Sequence, residues 1–326
     1  MTTSSDGGGP DRAAGSRLPD GPPAFSFLTT AYKAADTLGR TIDAVLAQTR
    51  GDRAAAERAT GRYLVVLNAD DAVTPDFCAR TGEVLDADPG VAAVTCDAVQ
   101  FVDPGQQLLA RTYLQTAGLA EAPEGAVRLG VADIIDGPCP YYSAPIRREV
   151  WDALGGMGHD TDAPVVHDLE FWLRAILAGH DVRLIGDRLG LFRLERGSES
   201  RPLDPEATEE FERQRELVLR RAADAAADPD AREALDRVLR RLTYQQAIRR
   251  ARVAFSQGDA AAARRHVGEA HAQRPSARTG ALVVALRVAP GALSAVHPIK
   301  RSLQARVARL RARDWRARWS RRRTVR

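Results

Sequence analysis

An α/β fold, with a sheet flanked by helices and a separate helical C-terminal region, follows from three features of this 326-residue sequence. Tyr63 to Leu67 is a short, continuously apolar run that ends on Asn68, Asp70 and Asp71, as a buried parallel strand does where it leaves its sheet. Phe25 to Thr30 is an earlier run of the same kind, about thirty residues upstream, which leaves room for a right-handed strand–helix–strand crossover. From Pro205 onward the pattern is wholly helical.

Taken in order, residues 1–23 are rich in Gly, Pro, Ser and Asp, lack the apolar stretch of a signal peptide, and are expected to form a disordered leader. After the first strand, Leu38, Ile42, Val45 and Leu46 recur at helical spacing over 34–48, with Asp36 a candidate N-cap. Residues 50–61 are polar and helix-favouring, and Gly61 can end them. Beyond the Tyr63–Leu67 strand, Pro75 can open a helix that stops at Asp88–Pro89–Gly90. Val91 to Cys96 is a third strand, which continues to a turn at Asp103–Pro104–Gly105 and returns as a hairpin. A weak helical patch covers 118–129, and a short helix covers Arg148 to Leu154 and ends at Gly155–Gly156. Val165 to Leu177 is a strongly apolar helix with His167 and Asp168 at its start and Gly179 at its close. Two short extended pieces follow, 182–186 and 189–194, then a polar loop. Helices are expected at 210–227, 231–255, 260–273 and 279–288, and the Gly258–Asp259 turn makes one hairpin that resembles a tetratricopeptide unit, without a second copy.

The net charge of +4 conceals an asymmetry. Residues 300–326 hold Lys300 and eleven arginines against Asp314, a local +11, so the other 299 residues carry −7. An acidic body with a basic tail argues against a nucleic-acid-binding domain, because no folded platform interleaves basic and aromatic residues. Cys78, Cys96 and Cys139 lack paired spacing, so neither a disulfide framework nor a zinc site is indicated, and a reducing, cytoplasmic location is expected. Leu303, Val307 and Leu310 at helical spacing, with Trp315 and Trp319 beyond, leave two readings of the tail: peripheral contact with an anionic inner membrane face, or a solvated charged extension.

In open α/β sheets ligands bind beyond the carboxyl ends of the strands, and two carboxylates with an amide there suit a hard divalent cation and the phosphates it carries. Asp and Asn are also ordinary turn residues, so the stretch alone leaves both readings open. Five segments together bear a resemblance. FSFLTTAYKAADTLGRTIDAVLAQT, ATGRYLVVLNADDAVTPDFCARTGEVLDADPGVAAV, PIRREVWDALGGMG, VVHDLEFWLRAILAGHDVRLI and LGLFRLERGSESR resemble, in that order, the successive motifs of glycosyltransferase family 2, which has the GT-A fold. The resemblance spans roughly residues 24–201 and implies transfer of a sugar from a nucleotide-sugar donor to the hydroxyl of a glycan or lipid-linked acceptor, with inversion and with Mg²⁺ or Mn²⁺. By resemblance, Asn68, Asp70 and Asp71 are the metal element and Asp168 is the base that takes the hydroxyl proton. Thr30, Tyr32, Arg193, Ser198 and Ser200 are donor-side, and Arg148, Trp151 and His167 are acceptor-side. The start of the predicted helix would favour the ionised form of Asp168.

The chain also departs from that pattern. Only Arg50 to Gly61 fills the interval where the family carries its nucleotide-base-binding strand and loop, so the sheet is expected to lack edge strands and to expose Phe25–Thr30 as an edge. Asn68 stands where the family usually has Asp, and His167 where it usually has Glu. Two functions remain at this point: an active transferase, or a catalytically impaired relative that serves as a binding or scaffold module. The expected organisation is a leader at 1–23, a truncated GT-A-like domain at 24–204, a helical region at 205–298 and a basic tail at 299–326.

Overall fold

The computed structural model describes residues 24–29, 35–48, 53–54, 60–102, 107–119, 121–137, 143–158, 160–194 and 204–288. The first part contains β1 (Phe25–Leu28), α1 (Ala35–Leu46), β2 (Arg53–Ala54), β3 (Tyr63–Val66), β4 (Ala72–Val73), α2 (Phe77–Ala87) and β5 (Val91–Val102). A middle part follows, with β6 (Gln107–Thr112), α3 (Tyr113–Ala117), β7 (Ala126–Arg128), α4 (Val131–Asp136), β8 (Ile146–Arg147) and α5 (Arg148–Leu154). A 3-10 turn (Pro164–Val166) leads into α6 (His167–Leu177) and β9 (Asp181–Arg193). Four helices complete the described chain: α7 (Pro205–Ala226), α8 (Pro229–Ser256), α9 (Ala260–Gln273) and α10 (Ala277–Val288).

The strands form one mixed sheet in the order β2-β1-β3-β8-β5-β9-β4, with β6 beside β5 and β7 beside β9. β1 and β3 are parallel, β8 is antiparallel to both β3 and β5, and β5 is parallel to β9. The four main strands β1, β3, β5 and β9 therefore share one direction, and their carboxyl ends lie on one side. Side chains alternate across the sheet, as the two-residue period of a strand requires. On β3, Leu64 joins the cluster under α4, α5 and α6, while Tyr63 and Val65 join the opposite cluster with Phe25, Phe27 and Phe77. All three β3 residues are almost fully buried, which explains the unbroken apolar run.

Several expectations change. β1 is not a bare edge, because Phe25 and Ser26 pair with Arg53 and Ala54 of β2, inside a segment expected to be helical. Residues 126–128 of the expected helical patch form β7. The two extended pieces at 182–194 are one strand, β9, bent by register shifts against β5 near Cys96 and Asp97. Gly186, at the end of the first piece, serves a close approach: a Cβ there would lie 2.6 Å from the Pro123 carbonyl oxygen.

The helical region packs onto the sheet. Val218, Leu219, Ala222 and Ala223 of α7 and Ala234, Leu235 and Val238 of α8 share one core with Leu64, Ile134 and Trp172. The far half of α8 packs instead with α9 and α10 around Ala251, Ala263, Val267 and Leu286. Gly258, at φ 84°, makes the turn between α8 and α9, and the Asp259 side chain caps α9 by accepting from the Ala262 N–H.

Candidate functional site

The turn after β3 is held from two sides. Leu67 N–H still bonds the Leu28 carbonyl at 2.9 Å, so β1 and β3 end together, and Asp71 N–H closes the turn on the Asn68 carbonyl at 3.2 Å. From below, the buried Thr41 hydroxyl of α1 lies 2.7 Å from the Asp71 carbonyl oxygen and 3.0 Å from that of Ala69. Gln48, two residues past the end of α1, donates to the Thr74 carbonyl at 2.9 Å and accepts from the Cys78 N–H at 3.0 Å, which fixes the exit into α2. From the side, β4 pairs with the end of β9, and the Arg193 N–H donates to Asp71 Oδ1 at 2.8 Å. The Asp71 carboxylate is 2% exposed, so it is a tie between two strand ends. Asn68 is exposed and Asp70 half-buried on the outer side of the same turn.

The cation implied by the resemblance can be judged against this donor set. Among the described residues no group of three or more His, Cys, Asp and Glu converges as metal ligands would. Asp71 already spends one oxygen on the Arg193 N–H. Asp70 and Asn68, with the other Asp71 oxygen, therefore do not make an all-protein cage. They fit an ion such as Mg²⁺, which takes one or two carboxylates and completes its shell with phosphate and water.

Asp168 occupies the first turn of α6. α6 packs on the sheet and enters β9 through a turn at Gly179, φ 88°, so it runs against the strand direction. Its first turn thus lies toward the carboxyl ends of the strands, the side that carries the Asn68–Asp71 turn. Asp168 is half-buried, and Oδ1 accepts from the Leu169 N–H at 2.7 Å. Burial pushes its carboxyl above the ordinary carboxylate range, opposed by that N–H and by neighbouring His167. The expected dominance of the helix start is corrected here: desolvation outweighs it. His167 Nδ1 lies 3.0 Å from the Pro164 carbonyl oxygen, a local contact within the preceding 3-10 turn.

The other expected residues separate. Arg193 joins the turn through its backbone N–H. Trp151 packs against Phe171 of α6 with ring centroids 5.2 Å apart, and a Cβ at Gly156 would meet its indole. Arg148 lies at the other end of β3: its Nε donates to the Gly61 carbonyl and its N–H to the Arg62 carbonyl, both at 2.9 Å. At 3.3 Å per residue, Arg62 and Asn68 are roughly 20 Å apart along the strand. Thr30, Tyr32, Ser198 and Ser200 lie outside the described residues. Thr41 and Gln48, which build the turn, were missed because a polar residue on a predicted helix reads as solvent-facing. Arg147 was missed too; it donates to the carbonyls of Leu85, Asp88 and Val91 and so binds the end of α2 to the start of β5.

A groove of about 580 Å³ with mixed polar and apolar walls lies elsewhere, between α2, β9 and residues 122–126. Its charges are internally matched, Arg80 to Glu83 and Asp187, and Arg183 to Asp88 and Asp181.

No family model matches the chain, and no curated protein matches it. Among solved structures, the chain is similar to S. aureus TarS residues 1–349 in complex with UDP-GlcNAc, at 12% identity and TM-score 0.45, over 79% of this chain and 83% of that one. It is also similar to the mannosyltransferase PcManGT from Pyrobaculum calidifontis in complex with GDP-Man and Mn²⁺, at 16% identity and TM-score 0.43, over 93% of this chain and 89% of that one.

Proposed function

We propose that this chain transfers a sugar from a nucleoside-diphosphate donor to an acceptor hydroxyl, with inversion, at the carboxyl end of β1 and β3. One observation carries the reading: an acid-bearing turn at those strand ends, tied by Asp71 to the end of β9, shares its side of the sheet with the Asp168 helix start. The sequence resemblance to glycosyltransferase family 2 supports the same assignment.

Asp70 and Asn68 face the donor diphosphate and would hold its Mg²⁺ or Mn²⁺, while Asp71 keeps the turn in place. When bound, the cation neutralises charge that builds on the departing diphosphate. Asp168 takes the proton of the acceptor hydroxyl as that oxygen bonds to the anomeric carbon and the carbon–phosphate oxygen bond breaks. A base whose pKa is raised by burial holds that proton more firmly, at the cost of an acidic activity limb above the ordinary carboxylate range. Arg193, Thr30, Tyr32, Ser198 and Ser200 are proposed on the donor side. Trp151 and His167 are proposed on the acceptor side, where a glycan or lipid-linked acceptor would lie. Arg148, at the amino end of β3, is assigned a strand tie rather than an acceptor contact.

Calorimetry with UDP, GDP and dTDP in the presence of Mn²⁺ tests the reading. Binding of one nucleotide, weakened by Asp70→Asn, is expected. If none binds at millimolar concentration, the transferase assignment fails.

A further inference from the structure

The segment that delivers Asp168 has no side-chain cap at either of its N-cap positions. Val166, at the N-cap of α6, makes no side-chain cap bond, and the 3-10 turn before it starts from Ala163, which makes none either. Helix starts leave backbone N–H groups without intrahelical partners, and burying one unpaired is costly. Here a partner comes from α7. The Gln214 side chain is only 3% exposed, accepts from the Val165 N–H at 2.9 Å, and donates to Glu210 Oε1 at 2.6 Å. Both ends of a buried amide are thus occupied, and one is aimed at the turn before Asp168. Two α-helical turns further on, Arg221 bonds Asp160 Oδ2 at 2.7 Å and Asp162 Oδ2 at 2.8 Å. Val218, Leu219 and Ala222 of the same helix share the core with Val166 and Leu169. α7 therefore grips residues 160–169 at both ends and in the middle.

We infer that Gln214 is a positioning residue: it sets the 3-10 turn and the first turn of α6, and so the place of the Asp168 carboxylate relative to the Asn68–Asp71 turn. The helical region then contributes to the chemistry through α7. This rests on the role proposed for Asp168. The ion pairs of Arg221 are solvent-facing and worth little individually, so the buried amide is the part to test.

Gln214→Met keeps the volume and removes the acceptor. The double variant Glu210→Gln/Gln214→Glu exchanges amide and carboxylate and keeps an acceptor for the Val165 N–H. Arg249→Ala is the control: this α8 residue ties its Nη2 to Glu212 Oε2 of α7 at 2.6 Å, and its removal does not touch residues 160–169. Two readouts are compared: amide hydrogen exchange over 164–169, and hydrolysis of the sugar donor selected by the nucleotide titrations. In Gln214→Met, local exchange is expected to rise about tenfold. Its kcat is expected to fall about tenfold with KM for the donor within about twofold, since misplacing a base costs rate rather than donor affinity. The double variant recovers both, and Arg249→Ala shows neither. Unchanged exchange in Gln214→Met, or an equal rise in Arg249→Ala, overturns the clamp. Raised exchange with unchanged kcat overturns the positioning role. A wild-type chain that turns over no donor removes the transferase reading and the catalytic half of the inference, while the exchange comparison still decides the clamp.

Discussion

At the Asp168 carboxyl, burial and local hydrogen bonding oppose each other, and the balance has a thermodynamic signature. The folded-state pKa is raised, so folding favours the protonated acid. Stability linked to this group is present in full below the unfolded-state pKa and is lost as pH rises through the folded-state value. Asp168→Asn removes that loss. Its thermal midpoint is expected to exceed wild type near neutral pH and to converge with it in acid; a variant less stable than wild type near neutral pH would contradict the burial account. Cys96 gives a second residue-level test. Burial pushes its thiol up to about 12, so it stays protonated and shielded. Iodoacetamide at mildly alkaline pH is expected to leave Cys96 unmodified until the chain unfolds, and rapid labelling of the folded chain would refute the packing around β5.

Among the elements, those with strong periodicity and punctuation were legible in the sequence. α5 and α9 occupy the expected residues because Gly155 and Gly258 adopt positive φ at their boundaries. β3 stood out because both its faces are buried. β2, β4 and β8 are two residues long, shorter than any periodic signal, and only the completed sheet defines them. At the site, Asn68–Asp71 and Asp168 were nameable from motif order, whereas the ties that hold them were not. Thr41 to Asp71, Arg193 to Asp71 and Gln214 to Val165 connect residues 30, 122 and 49 positions apart. The β1–β3 contact is tight where it begins. A Cβ on Gly61 would lie 2.7 Å from Ser26 N and 2.8 Å from the Phe25 carbonyl carbon, both backbone atoms. Gly61→Ala should cost about 2 kcal/mol in denaturant unfolding, within the range for overpacking a filled site. A loss below about 0.5 kcal/mol, the scale of a neutral surface change, would show that β1 shifts freely.

At the scale of the whole molecule, the helical region divides by its packing. α7 and the first half of α8 complete the core under Trp172, while the far half of α8 with α9 and α10 has a cluster of its own. Ending the chain after residue 204 would strip Val218, Leu219, Leu235, Val238 and Leu242 from that core, at about 1.5–3 kcal/mol for each large side chain. That product is expected to aggregate, whereas one ending after residue 256 should keep a cooperative melt. The reverse order of stability would refute the shared core. Among the described residues no helix is long and apolar enough to cross a membrane. The opposed charges of body and tail make the tail's two readings testable with phosphatidylglycerol vesicles: peripheral contact would sediment the full chain and release it at about 0.5 M salt, where exposed charges are screened, and a solvated tail would leave it in solution. Salt-independent binding would contradict an electrostatic contact. The most direct measurement is a paired assay of wild type and Asp168→Asn, with donor turnover and nucleotide affinity taken on the same preparations. Turnover should fall by about 10²–10⁴, the usual contribution of a positioned base, while affinity stays within about twofold. Retained turnover in Asp168→Asn, or loss of nucleotide binding along with it, would contradict the division of labour between Asp168 and the Asn68–Asp71 turn.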